Sequence, residues 1–204
     1  MQGDKIRQLN FAISETLPAM QDVARENPNA EVLVRAVTFA SGAQWHVSTP
    51  TPVATFRWSD VHAGGVTDMG KALRLVAEQL RVPPMSERAL PPVLVLVSDG
   101  QATDDFSSGL RALLAERWGA KAVRLAIAIG RDADLDMLSR FIGSTELKPL
   151  VASNSPTLVS FIRWASTAVL QAASAPSTQI GPAGSSHAAT PVPPQPDHTV
   201  TAVW

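Results

Sequence analysis

An unbroken apolar run that ends in polar residues is the feature that most narrows the folds available to this chain. PPVLVLVSDG, at Pro91 to Gly100, shows no alternation of apolar and polar positions, so neither face of this strand is suited to water. Strands of this kind occur where helices cover both faces of a parallel sheet. VRLAIAIG, at Val123 to Gly130, repeats the pattern, and EVLVRAVTF, at Glu31 to Phe39, has the β-branched composition of a third strand. A mostly parallel sheet is therefore expected.

Helical patterns lie between these strands. Apolar residues recur at helical spacing from Met69 to Leu80, and again from Leu110 to Leu114. Alternating strands and helices predict an α/β fold with a doubly wound, mostly parallel sheet and helices on both faces. Ligands of such sheets bind at the carboxyl ends of the strands.

Two further helices are predicted at the ends of this region. The opening segment, Lys5 to Glu26, has an apolar stripe, which Pro18 should kink or divide in two. The last helix should begin at SPTL, with Ser155 as the N-cap and Pro156 at the first helical position.

The composition changes after Gln171. Residues 172–204 are rich in Ala, Ser, Pro and Thr and contain few large apolar side chains. Such a segment cannot bury enough surface to offset its ordering entropy, so a disordered tail is predicted after a domain at residues 1–171. The apolar end, Val200 to Trp204, is interpreted as part of this unstructured tail rather than as a docking motif.

Composition also excludes several classes of function. Charged residues make up 17% of the chain and the formal net charge is -1, which gives little attraction to nucleic acid or an anionic membrane. Cys is absent and the four His are scattered, which excludes thiolate sites and disfavours a zinc site. The polar N-terminus lacks a signal core, and no apolar run approaches the roughly 20 residues that span a bilayer. A cytoplasmic protein without nucleic-acid or membrane partners is expected.

The loop from Gly65 to Lys71 permits a nucleotide-binding interpretation. It reads G-x-x-x-x-G-K, like the start of a phosphate-binding loop. However, Ala72 follows where that loop needs a Ser or Thr for magnesium, and Asp68 places a negative charge where phosphate would bind. The preceding residues, FRWSDVHA, do not resemble a buried strand. A nucleotide-binding protein is kept as an alternative, together with a small metal-dependent hydrolase.

A metal-binding interpretation of the same loop fits better. Thr67 offers a hydroxyl and Asp99 a carboxylate, each on a loop expected at the carboxyl edge of the sheet. Oxygen ligands of this kind suit a hard divalent cation such as Mg²⁺. Gly64 and Gly65 would let the backbone bring Thr67 inward. Taken separately, Thr67 is also explained as a helix N-cap and Asp99 as a turn residue.

Other acidic residues have structural interpretations. Asp104 and Asp105 are expected to cap the helix that follows them, because Asp favours helix starts. Asp132, Asp134 and Asp136 have the spacing of a calcium loop but lack the glycine at its sixth position, so that interpretation is rejected.

Three stretches, in order, carry a family resemblance. GGVTDMGKAL, VLVLVSDGQATDD and LAIAIGRDADLDMLSRF resemble a von Willebrand factor A (vWA) domain of the bacterial tellurium-resistance TerY type. The resemblance covers about residues 1 to 170 and implies a doubly wound sheet with a metal-ion-dependent adhesion site at its carboxyl edge. In that family the site combines D-x-S-x-S on the first strand, a Thr before a helix and an Asp after a later strand. By position, Thr67 matches that Thr and Asp99 the second Asp.

The beginning of the chain departs from the family pattern. Family members read D-x-S-G-S-M-x-G before the first helix, whereas this chain starts M-Q-G-D-K-I, so Met1 corresponds to the Met that follows the last metal-binding Ser. The first strand and three of the five usual ligand residues are therefore expected to be missing. Mg²⁺ is expected to bind a full-length form and not to bind this chain tightly, through Thr67 and Asp99 alone.

The residues do not suggest an enzyme. They offer no nucleophile with a nearby base and orienting acid. The resemblance implies a non-catalytic protein-binding module in a bacterial stress-response or tellurium-resistance system. Its partner would be a protein, such as a co-encoded kinase or phosphatase, that binds around Thr67, Asp99 and Trp58.

Overall fold

The computed structural model of the protein describes residues 3–26, 31–62, 64–167, 171 and 191–195. The helices are α1 (Asp4–Glu26), α2 (Met69–Gln79), α3 (Phe106–Ala115), α4 (Arg117–Lys121), α5 (Leu135–Ile142) and α6 (Ser155–Ser166). The strands are β1 (Leu33–Ala40), β2 (Gly42–Pro52), β3 (Val93–Ser98), β4 (Val123–Ile129) and β5 (Leu150–Ala152).

The parallel sheet has the order β3-β4-β5. Val93 pairs with Val123 at its start, and the register continues to Ser98 opposite Ala128. Ile127 to Ile129 pair in parallel with β5 on the other side. β4 is therefore the central strand, and its residues from Leu125 to Ile129 are all buried, which confirms the prediction from its apolar run.

Helices cover both faces of this sheet. Side chains alternate in direction along a strand, so neighbouring residues of β4 face opposite layers. Ala126 and Ala128 pack in the larger apolar core with α2, α3 and α5. Ile127 and Ile129 pack in a second core with α1 and α6, which also contact each other. The predicted doubly wound α/β fold with helices on both faces is confirmed.

β1 lies in a separate antiparallel sheet with β2. The sequence predicted a strand at residues 31–39, but not that its hydrogen-bonded neighbour would be β2, whose proline-containing sequence is GAQWHVSTPTP. Within the described ranges, neither β1 nor β3 pairs with a further strand at its other edge. Val95 of β3 is 39% exposed, as expected for an edge strand rather than a central one.

Two helix predictions need correction. α1 is not divided at Pro18 but continues from Asp4 to Glu26, because it is held both before and after the proline: Leu9 packs in the core, and Gln21 donates to the Phe56 carbonyl at 3.4 Å. The N-cap of α6 is Asn154 rather than Ser155, since the Asn154 side chain accepts the Thr157 N–H at 2.9 Å.

The predicted tail lies mainly outside the described residues. Within residues 172–204 the structure describes 191–195, and these form neither helix nor strand. The apolar end at residues 200–204 is outside the description as well. In the described part of the chain, no helix combines the length and the apolar character needed to span a bilayer.

Candidate metal site

The two loops that carry the predicted ligands lie side by side at the carboxyl edge of the sheet. The backbone N–H of Thr67 donates to Thr103 Oγ1 at 2.9 Å, and the N–H of Thr103 donates to the Thr67 carbonyl at 2.9 Å. Asp99 begins the second loop directly after β3. The structure therefore places Thr67 and Asp99 on neighbouring loops of one edge, where strand ends of an α/β sheet converge.

Gly65 is required by the course of the first loop. Its φ is +68°, and a Cβ atom there would lie 2.5 Å from both the backbone N and the Oγ of Ser41. Both the positive φ and the close contacts with Ser41 disfavour any side chain at position 65. A Cβ atom on Gly64 would meet nothing within 4 Å. The sequence predicted that the loop needs glycine at both positions, and the structure requires it at Gly65 alone.

Asp68 ties this loop to the turn between β1 and β2. Its N–H donates to the Ala40 carbonyl at 3.1 Å, and its Oδ2 accepts the Gly42 N–H at 2.8 Å and the Lys71 ammonium at 2.6 Å. The hydrogen bond from Lys71, followed by that from Gly42, lowers the pKa of the Asp68 carboxyl below its ordinary value. The same bond raises the pKa of Lys71. Asp68 is thus a charged, buried brace between the hairpin and α2.

Asp104 closes the N-terminus of α2. Its Oδ1 accepts the Gly70 N–H and its Oδ2 the Lys71 N–H, both at 2.8 Å. The sequence predicted that Asp104 and Asp105 cap the helix that follows them. This was wrong for Asp104, which caps the preceding helix, α2. It was right for Asp105, which caps α3 by accepting the Ser108 N–H at 2.9 Å. The backbone turn that brings Asp104 back to α2 is held by the Thr67–Thr103 bonds. The N-cap of α2 is Asp68, so the interpretation of Thr67 as a helix N-cap was wrong.

A lysine lies against the second predicted ligand. The Lys5 ammonium is 3.5 Å from Asp99 Oδ2 and 3.4 Å from Asp132 Oδ2. Lys5 belongs to the first turn of α1, Asp99 follows β3, and Asp132 follows β4 after Gly130. The Asp99 carboxylate is 17% exposed and Lys5 is one of its partners.

These residues do not fit a dedicated divalent-metal site. A hard cation needs several oxygen ligands, with carboxylates to offset its dehydration. Among the residues that the structure describes, no three His, Cys, Asp or Glu side chains are grouped to hold a metal. The Asp99 carboxylate is shared with the Lys5 ammonium, and Thr67 is neutral. Asp134 caps α5 by accepting the Met137 N–H at 2.9 Å, which agrees with the rejection of the calcium loop.

Trp58 is attached to α1 rather than to the two site loops. Its indole N–H donates to Asn10 Oδ1 at 3.1 Å, and the buried Asn10 side chain also bonds both the N–H and the carbonyl of Val61. Its ring contacts His46, with centroids 4.8 Å apart. These contacts explain the half-buried state of Trp58 by packing.

The sequence reading missed three contributors to this edge. Lys71 lies three residues after Asp68, a spacing that places charged side chains together on a helix and could have revealed the pair. Asp104 reaches back 34 residues to Gly70, and Lys5 reaches 127 residues to Asp132. No local pattern indicates contacts over such distances.

Comparisons with known proteins support the architecture. No protein-family model matches the sequence, and no curated protein matches it significantly. Solved structures similar to the chain include a von Willebrand factor type A protein from Catenulispora acidiphila, with a TM-score of 0.59, 15% identity, and coverage of 81% of this chain and 39% of that one. Another is proximal thread matrix protein 1 from the mussel byssus with a zinc-occupied MIDAS motif, with a TM-score of 0.60, 14% identity, and coverage of 79% and 42%.

A third similar structure is the ArnB paralog VWA2 from Sulfolobus acidocaldarius, with a TM-score of 0.50, 15% identity, and coverage of 72% of this chain and 38% of that one. The chain thus spans about two fifths of the length of each of these chains. At such low identity the similarity establishes the fold: the chain has a vWA-like α/β architecture.

Proposed function

We propose that the chain is a non-catalytic, vWA-type protein-binding module whose binding surface is the carboxyl edge formed by the loops at residues 64–68 and 99–105. The paired hydrogen bonds between Thr67 and Thr103 carry this proposal. They join the two loops, and a surface that is ordered before binding loses less conformational entropy when a partner binds. A role in a bacterial stress-response or tellurium-resistance system is part of the proposal and comes from the family resemblance.

The polar groups of this edge support binding rather than catalysis. Asp68 and Asp104 accept backbone N–H groups and the Lys71 ammonium, so they hold α2 in place. A hydrolase that used them as metal ligands or bases would have to break these bonds. Since catalysis by such residues needs a free, correctly oriented group, the hydrolase alternative has less support.

The nucleotide-binding alternative meets a similar obstacle. A phosphate at the start of α2 would need the Gly70 and Lys71 N–H groups, which donate to Asp104. It would also need the Lys71 ammonium, which lies 2.6 Å from Asp68. The loop therefore already contains the negative charge that a phosphate would supply.

In this proposal the metal site of the chain is degenerate. A zinc-occupied site in a similar structure supports divalent-metal binding in the fold, but Thr67 and Asp99 are the two matching residues here. We further propose that a strand fits between β1 and β3, each of which has no further strand partner among the described residues, as the family resemblance implies. Such a strand would pair with both and supply the remaining ligands.

Calorimetric titration tests the metal part of the proposal. MgCl₂ would be titrated into this chain and into a chain extended upstream to include a D-x-S-x-S strand. Weak or undetectable binding to the short chain and clear binding to the extended chain are expected. Tight binding to the short chain, with a cooperative unfolding transition, would contradict the degenerate site.

Capture of a purified partner tests the protein-binding part. The partner that the resemblance implies, a co-encoded kinase or phosphatase, would be tested against the extended chain and its Thr67→Ala/Asp99→Ala variant, with loss of capture expected in the variant. A matched control is Asp22→Ala/Thr145→Ala, since Asp22 lies about 25 Å along α1 from Lys5 and Thr145 lies in the exposed loop after α5. Equal capture by both variants would refute the assigned surface.

A further inference from the structure

Lys5 occupies an unusual place for a lysine. It lies in the first turn of α1, where the exposed N–H groups of a helix make positive charge unfavourable. Its ammonium is 3.4 Å from Asp132 Oδ2 and 3.5 Å from Asp99 Oδ2. The ends of β3 and β4 thus supply the two carboxylates that compensate the ammonium.

The side chain of Lys5 also has a defined path to this position. A Cβ atom on Gly130 would lie 3.3 Å from both Cε and Nζ of Lys5, and Gly130 has a φ of +82°. The chain turns after β4 at a residue without a side chain, and the end of the lysine passes over it. The Lys5 side chain is 32% exposed, so two thirds of it is covered.

The ammonium and a divalent cation would compete for Asp99. A magnesium or calcium ion lies about 2.0 to 2.6 Å from each ligand oxygen. An ion at that distance from Asp99 Oδ2 would lie close to an ammonium that is itself 3.5 Å from the same atom. Repulsion between the two cations would oppose binding, because Asp99 is only 17% exposed and water screens the charges incompletely.

We propose that Lys5 is the resident cation of this edge. Its ammonium bridges Asp99 and Asp132 in place of a divalent ion, fixes the N-terminus of α1 to the ends of β3 and β4, and competes with a metal ion for Asp99. The three groups together carry a net charge of -1, and neutralising Lys5 makes it -2. Removing the lysine charge therefore leaves two uncompensated carboxylates, which attract a hard divalent cation more strongly.

The experiment is a magnesium titration of the full chain with three single variants. MgCl₂ is added to the wild type, Lys5→Gln, Lys5→Arg and Lys148→Gln, at ionic strength matched with NaCl, and binding is measured by calorimetry. Lys5→Gln should bind Mg²⁺ at least about tenfold more tightly than the wild type, because a nearby like charge is removed. Lys5→Arg retains the charge and should show no gain. Lys148 is exposed, so Lys148→Gln controls for the change in net charge.

A double variant tests the bridge itself. Lys5→Gln/Asp132→Asn should lose most of the gain, and retention of the full gain would refute the role of Asp132. Affinity for Mg²⁺ equal in Lys5→Gln and the wild type would overturn the proposal. If Lys5→Gln unfolds, MgCl₂ should restore its circular dichroism spectrum, and failure to restore it would also overturn the proposal.

The choice of Asp99 as a ligand residue rests on the proposed function, but the titration needs no partner. Unchanged metal affinity in Lys5→Gln together with normal partner capture would refute the resident-cation role alone. A gain in metal affinity without any partner capture would refute the binding surface alone.

Discussion

The core around β4 and the carboxyl edge around Thr67 are held together by different forces. β4 is paired on both sides and buried between two apolar cores. The edge is held by hydrogen bonds that backbone N–H groups donate to loop carboxylates and a hydroxyl, together with three lysine–carboxylate contacts. Burial of apolar area stabilises a domain strongly and without directional demands, whereas a single hydrogen bond contributes modestly and fixes geometry. The core therefore determines stability, and the edge determines the shape of the binding surface.

The largest expected change in the free energy of unfolding distinguishes the core from the carboxyl edge. Ile127→Ala removes a fully buried side chain from the centre of β4 and should lower the free energy of unfolding by about 2–5 kcal/mol. Thr67→Ala should cost less than about 0.5 kcal/mol, because the Thr67 contacts with Thr103 are made by backbone atoms. Urea denaturation of both variants measures this difference. Similar losses would show that the edge contributes to stability as much as the core.

The next effect arises where the two regions meet, at the contact between α2 and α3. A Cβ atom on Gly109 would collide with the Gly70 carbonyl, so Gly109→Ala should destabilise the protein by about 1–3 kcal/mol despite the better helix propensity of Ala. Gly100→Ala is the control, because nothing lies within 4 Å of a Cβ there. A thermal midpoint for Gly109→Ala at or above that of the wild type would mean that the two helices can separate without cost.

The difference between the core and the edge also explains which features could be predicted from the sequence. Apolar runs predicted β3 and β4, and helical spacing predicted the helices between them. Burial on both faces accounts for the run in β4, whereas β3 has the same pattern although Val95 is 39% exposed. β2 was missed since its Pro and polar residues do not form a strand pattern, and pairing with β1 determines its structure. The rule for strand ends placed the loops of Thr67 and Asp99 at the carboxyl edge, and their role as metal ligands stays a prediction. However, the polar contacts that define them, such as Asp104 with Gly70 and Lys5 with Asp132, join residues far apart in sequence.

A smaller effect is expected from the cap on α2. Asp104→Ala leaves the Gly70 and Lys71 N–H groups without their carboxylate acceptor and should cost about 0.5–2 kcal/mol. Asp104→Asn keeps one acceptor oxygen and should lose less. Because Asp104 also orders the loop at residues 99–105, Asp104→Ala should accelerate hydrogen exchange of the Thr103 amide. Protection of that amide equal to the wild type would show that the Thr67–Thr103 bonds order the edge without the cap.

The smallest effect concerns the pH dependence of the Asp68–Lys71 brace. Its carboxyl has a lowered pKa, so its contribution is complete above the ordinary carboxyl value of 3.8 and is lost as the pH falls through the lowered pKa. Lys71 has a raised pKa, so its contribution is complete below the ordinary value of 10.5 and is lost as the pH rises through the raised one. The difference in stability between the wild type and Asp68→Asn should therefore be constant from about pH 5 to 9 and shrink only in stronger acid or base. Thermal midpoints of both proteins across this range measure it. If the stability difference between the wild type and Asp68→Asn varies between about pH 5 and 9, another titrating group acts on the Asp68–Lys71 brace. The edge would then respond to pH where the core does not.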